Sequence, residues 1–205
     1  LILLLINNIA DSQSINELQN KIPDSVKIKL ENHNIKEKVK ILITESRKYI
    51  NKSNNINFQL SKLAKIYAEK QKDKEIKGLS YKNYGVSYFS IEKYDSAILY
   101  YNKALKLLKK TSNIQEVSNV LYNIGYTYLK MGLYEKSIDF YHQSIEEEKP
   151  LNNIESIAWT NDAIGQNYFL LGKYNEAFKY YTLALEALEN TNSLTLGRVY
   201  NNTGL

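Results

Sequence analysis

Gly85, Gly125 and Gly165 lie 40 residues apart, and each is followed three residues later by a tyrosine, Tyr88, Tyr128 or Tyr168. The recurrence continues through Tyr94, Ala97, Tyr101 and Ala104 in the first copy. The second copy has Tyr134, Ser137, Tyr141 and Ser144 at the same places, and the third has Tyr174, Ala177, Tyr181 and Ala184. A further copy starts at Tyr200-Asn-Asn-Thr203-Gly204. Self-similarity at such a period means one supersecondary unit repeated, each unit burying its apolar face only by stacking on its neighbours.

The unit is helical. Only 2 Pro and 8 Gly occur in 205 residues, which favours long unbroken helices over a turn-rich β fold. Within each copy the apolar residue before the glycine, the glycine and the tyrosine share one face of a first helix. The glycines lack a Cβ and let a neighbouring helix approach closely, and Ala97, Ala104, Ala177 and Ala184 do the same on the second helix. Gly132 and Gly172 fall seven residues after the repeat glycines and end the first helix. The first copy has Glu92 there, so its turn is expected to close differently. The 18 Tyr residues recur at fixed spacings, which assigns most of them to packing.

This pattern resembles the tetratricopeptide repeat family, in which a large residue, an apolar–Gly pair, Tyr, Ala, an aromatic and Ala recur. The period exceeds the usual ~34 by roughly one and a half helical turns, and resembles the longer repeats of bacterial signalling proteins and kinesin-light-chain-like arrays. The resemblance implies an all-α fold, a right-handed superhelical solenoid of antiparallel helix pairs that binds proteins or peptides.

Four regions are expected. Residues 1–12 read as a truncated signal peptide: an apolar run, Leu1 to Ile6, then Ala10 and Ser12 at the small-residue positions of a cleavage site. Residues 13–34 read as a polar lead-in. Residues 35–74 read as a degenerate capping repeat, with Val39, Ile41, Leu42 and Ile43 opening one helix and Phe58, Leu60, Leu63, Ala64 and Tyr67 forming a stripe on the next. Residues 75–205 are the array proper.

No catalytic constellation is present in the sequence. Cys is absent, and His33 and His142 are far apart. None of the hydrolase, phosphate-loop or dinucleotide motifs occurs. No cofactor and no metal are therefore expected, and the chain is read as a non-enzyme, any catalytic domain lying beyond residue 205. The run Glu146-Glu147-Glu148 reads as a solvated turn between repeats. The net charge of +5 reads as Lys interleaved with Glu and Asp along the chain, which argues against nucleic acid.

The family resemblance implies a concave binding face made of first-helix positions outside the signature. In the first copy these are Leu79, Lys82, Val86 and Phe89. The second offers Asn119, Tyr122, Tyr126 and Leu129, the third Trp159, Asp162, Gln166 and Phe169, and the fourth begins with Arg198 and Asn201. Trp159, the only Trp, is the first choice of anchor. The family's carboxylate clamp is incomplete: Asn83 and Asn123 match one of its Asn positions, but Val86, Tyr126 and Gln166 replace the other, so chaperone-tail binding is not expected. The leader and the 40-residue repeats together resemble the extracytoplasmic part of Bacteroidetes sensor histidine kinases. That implies a periplasmic or secreted interaction region touching a membrane only through a segment beyond residue 205. The alternative is a cytoplasmic peptide-sensing regulator with a DNA-binding domain outside the fragment.

Overall fold

The computed structural model describes residues 13–188. The expected leader, Arg198, Asn201 and the start of the fourth copy lie outside the described residues. Among the described residues all regular structure is helical. The chain divides into two compact units between Lys110 and Thr111.

The first unit holds α1 (13–20), α2 (Asp24–Leu30), α3 (Ile35–Arg47), α4 (Asn54–Glu69), α5 (Lys74–Phe89) and α6 (Tyr94–Leu108). Helices α3 and α4 pack as one pair, α5 and α6 as the next, and α4 lies against α5. The segment expected to be a polar lead-in is instead folded. Leu18, Ile22, Val26 and Leu30 are buried in one core with Val39, Leu42, Leu60, Leu63 and Ala64. Their four-residue spacing puts them on one side of successive helical turns, despite Pro23 between α1 and α2.

The second unit holds α7 (Ile114–Lys130), α8 (Tyr134–Glu148), a 3-10 turn (Lys149–Leu151), α9 (Ile154–Leu170) and α10 (Tyr174–Leu188). Here α7 pairs with α8, α9 with α10, and α8 with α9.

The 40-residue register recurs in the atoms. A Cβ added at Gly85, Gly125 or Gly165 would sit 2.6–2.9 Å from the ring of Tyr101, Tyr141 or Tyr181 on the partner helix, so each glycine is a contact point for a buried tyrosine. Tyr88 stacks on Tyr100, Tyr128 on Phe140 and Tyr168 on Tyr180, with centroids 5.4–5.5 Å apart. Asp73, Asn113 and Asn153 cap the first helices, each side chain accepting the backbone N–H three residues on.

The intra-repeat turns are also alike. The N–H of Lys93, Leu133 and Lys173 reaches the C=O of Tyr88, Tyr128 and Tyr168, and the N–H one residue earlier reaches Phe89, Leu129 and Phe169. This is the Schellman closure, with the left-handed residue at Glu92, Gly132 or Gly172. Contrary to expectation, Glu92 closes the first turn in the same way, at φ +59° against +74° and +72° for the glycines.

Candidate binding surface

The first-helix positions expected to form a binding face divide by burial. Trp159, Gln166 and Phe169 are exposed on α9. Val86, Phe89, Asn119, Tyr122 and Tyr126 are half-buried. Lys82, Leu129 and Asp162 are buried, which corrects their expected place on an open face. They sit at the same helical positions as exposed or half-buried members in other copies, and packing covers them. Leu79 is half-buried against the first core.

Asn83 is also committed. It is buried on α5 and donates Nδ2 to Ser46 Oγ on α3 at 2.8 Å, while Asn57 donates to the Ser46 carbonyl at 2.9 Å. An asparagine spent on holding two helices together is not available to clamp a carboxylate.

On the second unit, α7 and α9 bring three of the expected residues together. Asn119, Tyr122 and Trp159, with Ser118, Ser156 and Thr160, enclose a pocket of about 170 Å³. Behind Ser118 and Ser156 lies Glu148, at the C-terminal end of α8. Its expected place in a solvated turn is wrong: its relative exposure is 0%. The register explains why. Position 148 corresponds to Leu108 and Leu188, both fully buried. The residue facing it is Ser118, where the other copies have Gly78 and Ala158, and Ser144 stands where they have Ala104 and Ala184.

The result is a buried polar cluster confined to the second copy. Glu148 Oε1 accepts from Ser118 Oγ at 2.6 Å, Gln115 Nε2 at 2.7 Å and Ser156 Oγ at 3.0 Å. Ser144 Oγ lies 2.9 Å from Ser118 Oγ and 3.1 Å from the Ser118 carbonyl, to which it donates. Asn153, the α9 cap, donates to Gln115 Oε1. Glu148 Oε2 is buried with no hydrogen-bond partner. Nearby, burial and the charge of Asp162 push the Tyr181 hydroxyl up to about 12.

Charge is not evenly shared, contrary to the sequence expectation. Residues 1–110 carry 21 Lys and Arg against 11 Asp and Glu, a net +10. Residues 111–205 carry 6 against 11, a net −5. The second unit is thus the acidic one. Among the described residues no group of three or more His, Cys, Asp and Glu is placed to hold a metal ion, and no helix is long and apolar enough to cross a membrane.

Helix pairs repeated at a fixed register, with small residues at the crossing points, define a repeat protein of stacked helical hairpins. Tetratricopeptide repeat models match residues 80–109 and 116–190, together about half of the chain, so the chain carries tetratricopeptide repeats. No curated protein matches it in sequence. Several solved structures share its fold. BtubC (BKLC) from P. vanneervenii is 16% identical at a TM-score of 0.71, over 96% of this chain and 80% of that one. Aspartyl phosphate phosphatase F from Bacillus subtilis is 19% identical at 0.76, over 92% and 53%. Apo RapI is 17% identical at 0.74, over 88% and 51%. The chain spans about half the length of the last two.

Proposed function

We propose that this chain is a protein- or peptide-binding scaffold, and that it forms the extracytoplasmic sensory or interaction region of a bacterial signalling protein. The observation carrying the binding role is the pocket between α7 and α9, where exposed Trp159 and half-buried Tyr122 and Asn119 converge from positions outside the repeat signature. Large aromatics beside a few polar groups are the usual anchors of recognition surfaces. Support for export comes from the sequence alone, from the apolar run followed by Ala10 and Ser12.

Selection of peptides from a random library by the full chain tests the binding role, repeated with Trp159→Ala and Tyr126→Ala. Peptides held by the wild type and released by Trp159→Ala are expected. Equal retention by all three proteins would remove the first-helix face from consideration. Export is tested by fusing alkaline phosphatase behind the chain expressed from its natural start. Phosphatase activity in intact bacteria is expected, and an inactive, stably expressed fusion would refute export.

A second reading is a cytoplasmic peptide-sensing regulator with a DNA-binding domain outside this fragment, with which the fold shared with RapI and aspartyl phosphate phosphatase F is compatible. It predicts the inactive fusion.

A further inference from the structure

We propose that the pocket between α7 and α9 is a receptor for the ammonium group of a lysine side chain in a basic peptide, with Glu148 as its buried counter-charge. This rests on the peptide-binding role above and specifies its chemistry.

Three aliphatic hydroxyls, on Ser118, Ser156 and Thr160, line the pocket beside Tyr122, and each of the three has its single proton engaged elsewhere. Ser118 and Ser156 both donate to Glu148 Oε1, and Thr160 donates to the Ser156 carbonyl at 2.9 Å. A hydroxyl whose proton is spent offers only oxygen lone pairs. These three groups therefore present acceptors to the pocket, which suit a ligand that donates at that wall, while Asn119, Tyr122 and Trp159 carry the donors of the lining.

Glu148 is fully buried and lies in no ion pair, and its Oε2 has no partner. An acid taken out of water is costly unless a cation or several hydrogen bonds offset it. Here three donors converge on Oε1 and leave Oε2 bare. A cation bound to the Ser118 and Ser156 oxygens would lie within roughly 5 Å of the carboxylate, one hydrogen bond beyond the hydroxyls.

A pocket of about 170 Å³ has the volume of roughly five or six liquid waters. That admits an ammonium and part of its aliphatic stem. Trp159 and Tyr122 supply the aromatic walls that favour a cation and the CH₂ groups behind it. The net −5 of residues 111–205 draws a basic peptide to this unit, while the net +10 of residues 1–110 repels it. The polar set is specific to this copy, because the equivalent positions elsewhere are Gly78 with Leu108 and Ala158 with Leu188.

The test uses the full chain and acetyl-capped, amidated peptides selected from the random library. One selected lysine peptide is compared with its Nε-acetyl-lysine form, its Lys→Arg form, and a form with alanine in place of lysine and a free N-terminus. Affinity is measured by calorimetry, and the fluorescence of Trp159, the only tryptophan, reports occupancy of the pocket itself. Acetylation is expected to weaken binding by about tenfold or more, the loss of one charge-assisted hydrogen-bonded contact. Glu148→Gln should weaken the lysine peptide to a similar degree and leave the acetylated peptide unaffected. The fluorescence should respond to the lysine form alone. Peptides that bind with acetylation and Glu148→Gln each changing affinity by less than about twofold would overturn the pocket and leave the scaffold intact. Equal affinity for the Arg or free-N-terminus form would overturn the choice of a lysine ammonium. Retention of no peptide at all would overturn both the scaffold reading and this one. The acetylation arm needs only the wild-type chain, so a Glu148 variant that fails to fold does not block the decision.

Discussion

Replacing Glu148, Ser118 and Ser144 together by Leu, Ala and Ala should make the protein more stable and weaken its binding of the lysine peptide. The three substitutions give the second copy the residues of the third, Ala158, Ala184 and Leu188, which pack in one apolar cluster. Burying a leucine side chain contributes about 1.5–3 kcal/mol. Removing a buried carboxylate oxygen with no partner recovers about 1–3 kcal/mol. Against this, Gln115 and Ser156 lose their acceptor. Both are only half-buried, so water can replace it. Ser118 and Ser144, the two fully enclosed donors, are removed along with the carboxylate. Replacement of even a buried ion pair by apolar residues of similar volume is often neutral or stabilising, by about 1–4 kcal/mol, and a net gain of about 1–4 kcal/mol is expected here, where no counter-ion is lost. Urea unfolding followed by far-ultraviolet circular dichroism at neutral pH measures it, with an unchanged m-value showing that the folded state is as compact as before. A loss of more than about 1 kcal/mol would mean that the cluster is held for stability and not for a ligand, which would refute the reasoning.

Glu92→Gly should stabilise by about 0.5–1 kcal/mol, because it removes the left-handed penalty of a residue with a Cβ while restoring more freedom to the unfolded chain; a urea midpoint below that of the wild type would contradict the turn described. Gly85→Ala should destabilise by roughly 1–2 kcal/mol, since its Cβ would lie 2.6 Å from the buried Tyr101 ring, an overpacking that outweighs the helix-propensity gain of alanine; an equal or higher urea midpoint would show that the ring can shift. Alkaline pH should weaken the fold. Burial, and then the Glu69 carboxylate beside it, push the Tyr81 hydroxyl from 10.0 to about 12. The folded state thus holds that proton more tightly than the unfolded chain, so this contribution is complete below pH 10 and is lost as pH rises through 12. Unfolding midpoints measured across that window should fall for the wild type and less steeply for Tyr81→Phe, and identical slopes would refute the assignment.

The register of the array was readable because packing repeats. Each glycine–tyrosine contact and each stacked aromatic pair sits at a sequence spacing of 40. Where the expectation failed, a tertiary contact had overridden a local signal. Leu18, Ile22, Val26 and Leu30 form a four-residue stripe that was visible in the sequence but masked by the polar residues and Pro23 among them. Glu92 carries no local sign of a left-handed conformation, and only its register with Gly132 and Gly172 shows it. Glu148 looked like the third residue of a solvated acidic run, and the clue was again the register, which places it with Leu108 and Leu188. The pocket was half readable. Asn119, Tyr122 and Trp159 stand out in the sequence as positions outside the signature, but Ser118, Ser156 and Thr160 join them only in the folded pocket between α7 and α9. Lys82, Leu129 and Asp162 satisfied the same criterion and are buried, because the criterion identifies a helix position and not what covers it.

The first helix pair shows that departure from the repeat pattern need not be decay. In α3 the glycine register falls on Glu45, and in α4 the facing tyrosine register falls on Ser61. The two positions have exchanged bulk: the large residue is on the first helix and the small one on the second. Both are buried. The exchange also supplies a carboxylate at the seam with the segment before the array. Glu45 Oε1 accepts from Lys29 of α2 at 2.7 Å and from Lys48 at 2.8 Å, and these two ammonium groups hold its carboxyl below the usual glutamate range. A glycine at position 45 would leave Lys29 without this partner, and α2 would be held to the first core by Val26 and Leu30 alone. The pair is therefore adapted to the helices that cover it. Glu148 follows the same logic elsewhere in the chain: a carboxylate stands at a packing position, but three neutral donors reach it and no cation does. The first acid has its counter-ions within the fold, and the second is built to receive one.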